Sequence, residues 1–467
     1  MSDLTKAVKA LKDNSWCYQK PEDYYDGKHK LSFATEKFKN AFGELFRAFA
    51  LNVCPAVVDA VADKLVVENF GVDEGDAKSA EDAWSIWQAN RMGQRSGQVH
   101  KEVLRAGDAY VIVWPDVTSG KATIYPNRAA TCTVFYDEET PGKILWAAKY
   151  WTHLDGRVRL NLYYANQIEK YIAKKAALDD LYTQKKEQTI ENRNRYSVLP
   201  EAKEFLPYTE DGPETIKNPY GVVPVFHFAN NADVGSFGMS ELKHVVPVQD
   251  ALNKSVLDML VAMEFASYRQ RWASGIEIEI DETTGKPIPP FTAGVERLWV
   301  TESPEAKFGD FEATDLEQFL KVKDGMRIDI ATVSGTPLHY FLLTGAAFPQ
   351  SGISIEKLES RFLNKVRDRM EAFGNVWEDV MRFALRIENK GKDAQLHTNW
   401  ANPAPLSQGE QLDNLLKKEQ MGVSEEQLWK EAGYGEKDIK TMQEANAAKA
   451  EEEAKRFNAG DLGNNLP

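Results

Sequence analysis

The stretch from Gly235 to Gly275 constrains the fold more than any other part of the sequence, because it predicts one long helix with an interrupted start. Ser240 is a candidate N-cap, since its hydroxyl can accept a hydrogen bond from a free backbone N–H, and Pro247 is tolerated at a first helical position. A helix of about 40 Å with this much charge does not cross a lipid bilayer unaided and is expected to pack against copies or neighbours. Its predicted buried stripe consists of Val248, Leu252, Val256, Met259, Met263 and Ala266.

Composition restricts the class of protein. The 467 residues carry a net charge of −14, which argues against a protein that grips nucleic acid through its phosphates but not against one that lets DNA slide past. Cys17, Cys54 and Cys132 are far apart, so neither a disulfide framework nor a zinc site is indicated and a reducing compartment fits best. With no signal peptide and no apolar run of about 18 residues, the sequence predicts a cytosolic or virion protein with no membrane segment.

The N-terminal half predicts helices followed by strands. A helix is predicted over 52–70, where Asp59 and Asp63 lie four residues apart on one face. Two such carboxylates, with Glu68 nearby, could hold a metal, but a solvated helix face is the favoured interpretation. One helix over 80–105, an antiparallel meander of six strands and a charged excursion at 176–210 follow. A last apolar strand, 218–228, leads into the long helix.

The C-terminal half contains two further predicted helices around a loop. A small β-module is predicted over 276–312, then a helix over 314–332 that is interrupted at Gly325 and has Leu316, Phe319, Leu320 and Ile328 on its apolar face. A loop rich in glycine, proline and aromatic residues precedes a helix over 353–390. The stripe predicted for that last helix is Leu358, Phe362, Val366, Met370, Phe373, Trp377, Val380 and Ala384.

No catalytic motif stands out. The sequence has no phosphate-binding loop, dinucleotide-binding turn, zinc-protease helix or nucleophile elbow, and its seven histidines are scattered. Gly235, Gly238 and Ser240 form a weak candidate for an anion cradle at a helix start. Binding or scaffolding is therefore the expected role, with no catalytic residues, no metal and no cofactor.

The order of these parts resembles the portal proteins of tailed bacteriophages, of the type found in long-tailed siphophages. The resemblance rests on six segments in this order: YYDGKHKL, NVCPAVVDAVADKLVVENFGV, NPYGVVPVFHF, GMSELKHVVPVQDALNK, FPQSGISIEKLE and SQGEQLDNLLKKEQMGVSEEQLW. A small acidic β-module and a Ser-Gly-Thr-Pro loop lie between the fourth and the fifth segment. It spans nearly the whole chain. The excursion at 176–210 and the Ala/Glu-rich tail have no match in it.

The resemblance implies an α+β portal fold with several named parts. These are a wing (1–234), a first stem helix (235–274), a clip (275–313), a second stem helix (314–333), a tunnel loop (334–352), a long wing helix (353–390), and a crown with a flexible tail (391–467). The tunnel loop would present Leu338, His339, Tyr340, Phe341, Leu343 and Phe348 to DNA. Packing between adjacent subunits is the alternative role for these side chains.

The resemblance also implies partners. The chain would form a ring, usually a dodecamer, at one capsid vertex beside the major capsid protein, as the channel for packaging and ejection of double-stranded DNA that is not bound sequence-specifically. Its clip would dock the terminase large subunit and then the head-tail adaptor, with Asp281, Glu282, Lys286 and Arg297 as candidate contacts or as an unoccupied solvated rim. Its place would be the virion, and the host cytoplasm during assembly. The alternatives are another ring-forming virion component, such as an adaptor or minor capsid protein, and a metal-dependent nuclease.

Overall fold

The computed structural model describes most of the chain, with gaps. The described residues are 2–29, 51–72, 77–176, 199–210, 212–233, 237–267, 271–275, 280, 304–310, 316–342, 352–391, 394–404, 408–435 and 438–449. The chain divides into a large unit, residues 1–349 with 358–403, and a small unit, residues 350–357 with 404–467.

The fold mixes helices and antiparallel strands, as the sequence predicts. The helices are α1 Asp3–Tyr25, α2 Cys54–Ala62, α3 Ala77–Ala89, α4 Met92–Ala106, α5 Val246–Ser267, α6 Glu317–Ser334, α7 Gly352–Ile387, α8 Gln408–Gln420 and α9 Glu425–Glu431. The strands are β1 Val67–Val72, β2 Asp108–Pro115, β3 Ala122–Arg128, β4 Cys132–Tyr136, β5 Ile144–Thr152, β6 Arg157–Tyr164, β7 Gln167–Ala176, β8 Phe205–Pro207, β9 Thr215–Lys217, β10 Val225–Ala229, β11 Arg271–Ser274, β12 Lys307–Asp310 and β13 Leu396–Trp400.

The predicted meander is divided between two sheets. β2 lies between β10 and β3 in a three-stranded sheet, whereas β4 to β8 pair in sequence and β9 also pairs with β7. Successive side chains of a strand point to opposite faces. Val111 of β2 accordingly packs into the core of the helices, while Tyr110 and Ile112 pack into the core between the two sheets.

The six-stranded sheet has α1 on its other face. Val8 and Leu11 of α1 are buried with Trp146, Leu160 and Leu162 of β5 and β6. Ser2 caps this helix, since its hydroxyl accepts from the backbone N–H of Thr5 at 3.3 Å. The order of layers in the large unit is therefore α1, six-stranded sheet, three-stranded sheet and helices.

The helical layer is built on α7. Every predicted stripe residue of α7 from Phe362 onward is buried in the largest core, and Leu358 lies among residues whose side chains are not described. Trp377 is fully buried and donates its indole N–H to Nε2 of His100 at 2.8 Å. The periodic stripe predicted this helix correctly because its apolar face is continuous over its whole length.

Two N-terminal predictions are wrong. The predicted helix over 52–70 ends at Ala62, and Val67–Val72 instead form β1, which pairs antiparallel with β13. That partner lies more than 300 residues away in the sequence, so local periodicity contains no sign of it. The predicted helix over 80–105 is two helices, since Arg91 has a left-handed φ of 54° and Asn90 bonds the carbonyls of Ile86 and Ala122.

The predicted stem helices differ from the structure at their ends. α5 begins at Val246, after a turn, and Arg271–Ser274 form β11, so the helix does not extend over 235–274. α6 continues through Gly325, which was expected to interrupt it. A single glycine inside a helix costs only about 1 kcal/mol relative to alanine, and packing of α6 along α5 offsets this.

The C-terminal region contributes to both units. β13 lies within the predicted segment 391–467 but pairs with β1 of the large unit. The small unit contains α8 and α9, and residues 438–449 are helical. Among the described helices, none has a stretch both long enough and apolar enough for a membrane span.

Candidate functional site at the stem junction

The chain enters α5 through a tightly held turn. The backbone N–H of Gly238 donates to the carboxylate of Asp108 at 2.7 Å, and this carboxylate also bonds Nε2 of His227 at 2.7 Å and the hydroxyl of Tyr18 at 2.7 Å. Ser240 accepts from the N–H of Leu242 at 3.0 Å. The segment predicted as an anion cradle thus receives an anion from the chain itself, the Asp108 side chain, while Gly235 lies outside the described residues.

A buried carboxylate ties this turn to α7. The Glu241 side chain is 7% exposed and lies 2.5 Å from the Lys365 amine and 3.1 Å from the Arg369 guanidinium. Asn230 donates to the same carboxylate at 3.1 Å. Burial alone would raise the pKa of Glu241, but Lys365, followed by Arg369 and Asn230, outweighs it and holds the pKa below its ordinary value.

The same lysine reaches the end of α6. Lys365 donates to the backbone carbonyl of Ser334 at 2.8 Å, where α6 ends in a left-handed Gly335 with φ 66°. A cation at a helix C-terminus also opposes the negative end of the helix dipole. We call Glu241, Ser334, Lys365 and Arg369 the stem junction, because it connects the start of α5 and the end of α6 to one turn of α7.

Sequence reasoning missed the stem junction. Lys365 and Arg369 lie four residues apart on α7 beside the buried positions Phe362, Val366 and Met370. Two cations at the border of an apolar stripe were the available signal for a buried acidic partner. The identity of that partner depends on the tertiary fold.

The described part of the predicted tunnel loop is packed against the protein. Leu338–Tyr340 form one turn of 3-10 helix, and Phe341 packs against the main core. The Tyr340 ring lies 6.0 Å from that of Phe362 and is the exposed member, at 38%. The predicted loop residues Leu343 and Phe348 lie outside the described residues.

A contact between His339 and Glu359 holds the start of this loop. Nε2 of His339 lies 3.1 Å from the Glu359 carboxylate, whose side chain is only 3% exposed. Lys64 lies 3.9 Å from the other Glu359 oxygen and donates to the carbonyl of Pro403 at 2.8 Å. His339, which the sequence placed toward DNA, therefore faces α7.

α5 and α6, the predicted stem helices, expose apolar side chains. Leu320 and Ile328, predicted as part of a buried face, are each 46% exposed, whereas Ile330 and Ala331 are buried. Exposed large apolar side chains on α5 and α6 are Met263, Leu320, Val322, Ile328 and Val333. A set of this size along adjacent helices is typical of a protein-protein contact.

The described ends of the segment predicted as the clip form a short antiparallel pair. β11 pairs with β12, and Trp272 opposes Gly309. A Cβ at Gly309 would lie 2.6 Å from the Trp272 ring, so a side chain there would require this ring to move. The predicted clip contacts Asp281, Glu282, Lys286 and Arg297 lie outside the described residues.

The candidate nuclease carboxylates do not come together. Asp59 lies 2.9 Å from the Lys101 amine and accepts from the Tyr25 hydroxyl, while Glu68 is on β1. Within the described ranges, no three His, Cys, Asp or Glu residues are placed to hold a metal ion.

In the described part of the chain, α5 and α6 pack together, and β11 and β12 pair between them in the sequence. A family model described as phage portal protein, SPP1 Gp6-like, matches residues 8–456. The chain belongs to this family of phage portal proteins.

Two relatives that are portal proteins support this family assignment. The chain is 27% identical over 373 residues to the portal protein of Mycobacterium phage L5, covering 77% of this chain and 70% of that protein. It is 26% identical over 396 residues to the portal protein of Mycobacterium phage D29, covering 81% and 74%. Two similar solved structures are a virion of a native gene transfer agent particle, with 12% identity, TM-score 0.44 and coverage of 84% and 90%, and the neck of a native particle computed with C12 symmetry, with 9% identity, TM-score 0.43 and coverage of 88% and 94%.

Proposed function

We propose that twelve copies of this chain form a ring at one capsid vertex, through which double-stranded DNA enters during packaging and leaves at ejection. The ring then lies in the virion beside the major capsid protein, after assembly in the host cytoplasm. The terminase large subunit docks on the clip during filling and the head-tail adaptor docks there afterwards. The chain itself carries out no catalysis in this scheme, and the energy for packaging comes from the terminase.

One observation carries the ring proposal. The apolar side chains of Leu320, Ile328 and Val333 on α6, with Met263 on α5, are each more than two-fifths exposed in the single subunit. Covering such side chains is favourable by about 25 cal/mol per Å² of apolar area removed from water. Stem helices of adjacent copies cover this surface in the proposed ring.

The charge of the chain suits a channel. The whole chain has a net charge of −14, and an acidic channel wall would repel phosphates and so let DNA move without being held. The start of the tunnel loop is fixed by His339 against Glu359, which leaves the following residues, 343–351, as the part of the loop proposed to reach the DNA. Leu343 and Phe348 lie in this part, and Leu338, Tyr340 and Phe341 support its base.

The loop proposal is tested by replacing residues 343–350 with a Gly/Ser linker of equal length. Rings are expected to form as in the wild type, because the residues that anchor the loop are retained. Packaged DNA per particle, measured by quantitative PCR after nuclease treatment, is expected to fall at least about tenfold. The matched control replaces the exposed turn at 138–141 between β4 and β5 with Gly/Ser, and is expected to package normally.

Either of two results would contradict the loop proposal. Loss of ring formation in the linker variant would make these residues an assembly element. Normal packaging and retention of DNA would remove them from the channel mechanism.

The clip proposal has its own test. Charge reversal of Asp281 and Glu282 to lysine is expected to reduce binding of purified terminase to pre-formed rings at least about tenfold, measured by surface plasmon resonance. The control reverses Glu138 and Glu139, which are exposed in the turn after β4. Equal terminase binding by both variants would remove Asp281 and Glu282 from the docking surface.

A further inference from the structure

A cleft between the two sheets is lined by aromatic and basic side chains. Its volume is about 230 Å³, and Trp114 of β2 and Tyr125 of the edge strand β3 line one side. Lys149 and Lys170, with Asn161 between them, line the other side. The cleft thus has aromatic rings on one side and two ammonium groups on the other.

Strand register places the two lysines in one row. Lys149 of β5 pairs with Asn161 of β6, and Asn161 pairs with Lys170 of β7. Paired residues of neighbouring strands point to the same face, and two strand spacings separate the outer pair by about 10 Å at the backbone. Side chains of this length can therefore converge on one anion from its two sides.

Neither ammonium group is neutralised within the described part of the chain. No described carboxylate lies within 4.0 Å of the Lys149 or Lys170 amine, and the Lys149 amine lies 5.5 Å from the centroid of the Trp151 ring. Burial lowers the pKa of the Lys149 amine from its ordinary value, because loss of water disfavours the charged form. A carboxylate in the cleft would offset this cost.

We propose that the cleft binds an aspartate or glutamate side chain of a second copy of this chain, so that it is a contact between adjacent subunits of the ring. This inference rests on the ring under Proposed function. The cleft is smaller than a pocket for a drug-sized ligand, and its volume suits one acidic side chain with its methylene groups.

Charge selects this occupant over nucleic acid. Nucleic acid is held by extended basic surfaces, whereas this cleft offers two cations on a chain with net charge −14. The same excess of acidic residues means that every copy carries carboxylates that its own lysines and arginines cannot neutralise one for one. A second copy therefore supplies the complementary charge.

The first test is assembly of full-length variants. Lys149→Met with Lys170→Met keeps both side chains unbranched, shortens each by one heavy atom and removes both charges. The concentration needed for half of the chains to be in rings, measured by mass photometry, is expected to rise at least about tenfold, since truncating one side of a buried interfacial charge pair is costly. The matched control, Lys121→Met, changes an exposed lysine in the turn before β3 and is expected to leave assembly unchanged.

The second test does not depend on the fold of a variant. Amine acetylation of wild-type rings and of wild-type free subunits, read by peptide mass spectrometry, is expected to label Lys149 and Lys170 in free subunits and to protect them at least about fivefold in rings. Lys121 serves as the internal reference. Equal labelling in both states overturns the proposal, and protection already in free subunits overturns it by showing that the chain itself fills the cleft.

The results of these tests also distinguish failure of the cleft contact from failure of the ring proposal. Wild-type rings with unaffected assembly of the double variant contradict the cleft contact and leave the ring standing. Wild-type protein that forms no ring at all contradicts the proposed function and the cleft contact together.

Discussion

His100 is a buried group whose charge state matters for stability. Its Nδ1 lies 3.0 Å from the carbonyl of Leu65 and its Nε2 accepts from the Trp377 indole at 2.8 Å. The two contacts assign the proton to Nδ1, which gives a neutral ring with both nitrogens bonded. Burial lowers the pKa of His100 to about 4.

The first prediction concerns pH. Between pH 6.5 and 4 the unfolded state binds more protons at this site than the folded state, so the free energy of unfolding falls as the pH falls. His100 is expected to contribute about 3 kcal/mol to this loss over the range. Urea unfolding at several pH values measures the free energy of unfolding of wild type and of His100→Gln. The His100 contribution is the difference between the two proteins in how steeply this free energy changes with pH. His244→Gln, at an exposed histidine, is the control. Parallel profiles for wild type and His100→Gln would contradict the assignment.

Two glycines meet where the chain enters the stem. A Cβ at Gly238 would lie 2.0 Å from the carbonyl oxygen of Gly107, and Gly107 itself has a φ of 105°. Backbone on both sides leaves no room for a side chain to move aside. The close approach also lets the Gly238 N–H reach Asp108.

The second prediction follows from this approach. Gly238→Ala is expected to destabilise the subunit by about 3 kcal/mol or more, because the clash is with backbone. Gly97→Ala is the control: it lies on the exposed face of α4 with nothing near its Cβ position, and alanine is expected to stabilise that helix by about 1 kcal/mol. Chemical unfolding of both variants provides the measurement. A Gly238→Ala protein as stable as wild type would show that the turn can move.

At the scale of elements, the stem junction connects both α5 and α6 to α7. Glu241 precedes α5 and Ser334 ends α6, and Lys365 contacts both. A buried ion pair adds little net stability but is costly to break on one side, because the remaining charges stay buried. The junction therefore fixes the geometry of the stem more than it increases stability.

The third prediction tests that role. Glu241→Gln keeps the side-chain shape and leaves Lys365 and Arg369 without their carboxylate, so the free energy of unfolding is expected to fall by about 3–5 kcal/mol. Amide exchange is expected to increase around Ser334 as well as at the start of α5. In the control, Glu317→Gln on α6, an exposed pair with Lys321 is removed, which is expected to change stability by less than about 0.5 kcal/mol. Unchanged exchange at Ser334 in Glu241→Gln would contradict coupling through Lys365.

Sequence periodicity predicted elements whose stabilising contacts are local or continuous. α7 was predicted because its stripe repeats along the whole helix, and β6 was predicted because it alternates between turn signals. β1 and β13 were missed because each is a short strand whose partner is distant in sequence. The burial of Leu320 was predicted wrongly because an apolar face indicates a contact without saying whether the contact lies within one subunit.

The residues of the candidate site were likewise predicted only in part. The loop residues Leu338 to Phe341 were singled out through the resemblance to portal proteins. In the structure, His339 contacts Glu359 and Phe341 packs against the main core. Glu241, Lys365 and Arg369 were not singled out, because ordinary charged residues acquire a role only through the partners that the fold brings to them. Asp108, which fills the predicted anion cradle, was hidden in the same way.

At the scale of the whole molecule, the chain combines an acidic character with exposed apolar helix faces. The acidic residues suit a wall along which DNA moves, and the apolar faces of α5 and α6 suit contacts between copies. Both properties are explained by one arrangement, a closed ring with the stem helices side by side.

The mass and shape of the purified chain test the ring most directly. Native mass spectrometry, with negative-stain images of the same sample, is predicted to give closed rings of about twelve subunits of 52.6 kDa each, with a central hole. A compact dimer, or a monomer even when co-expressed with its capsid and scaffolding partners, would contradict the ring.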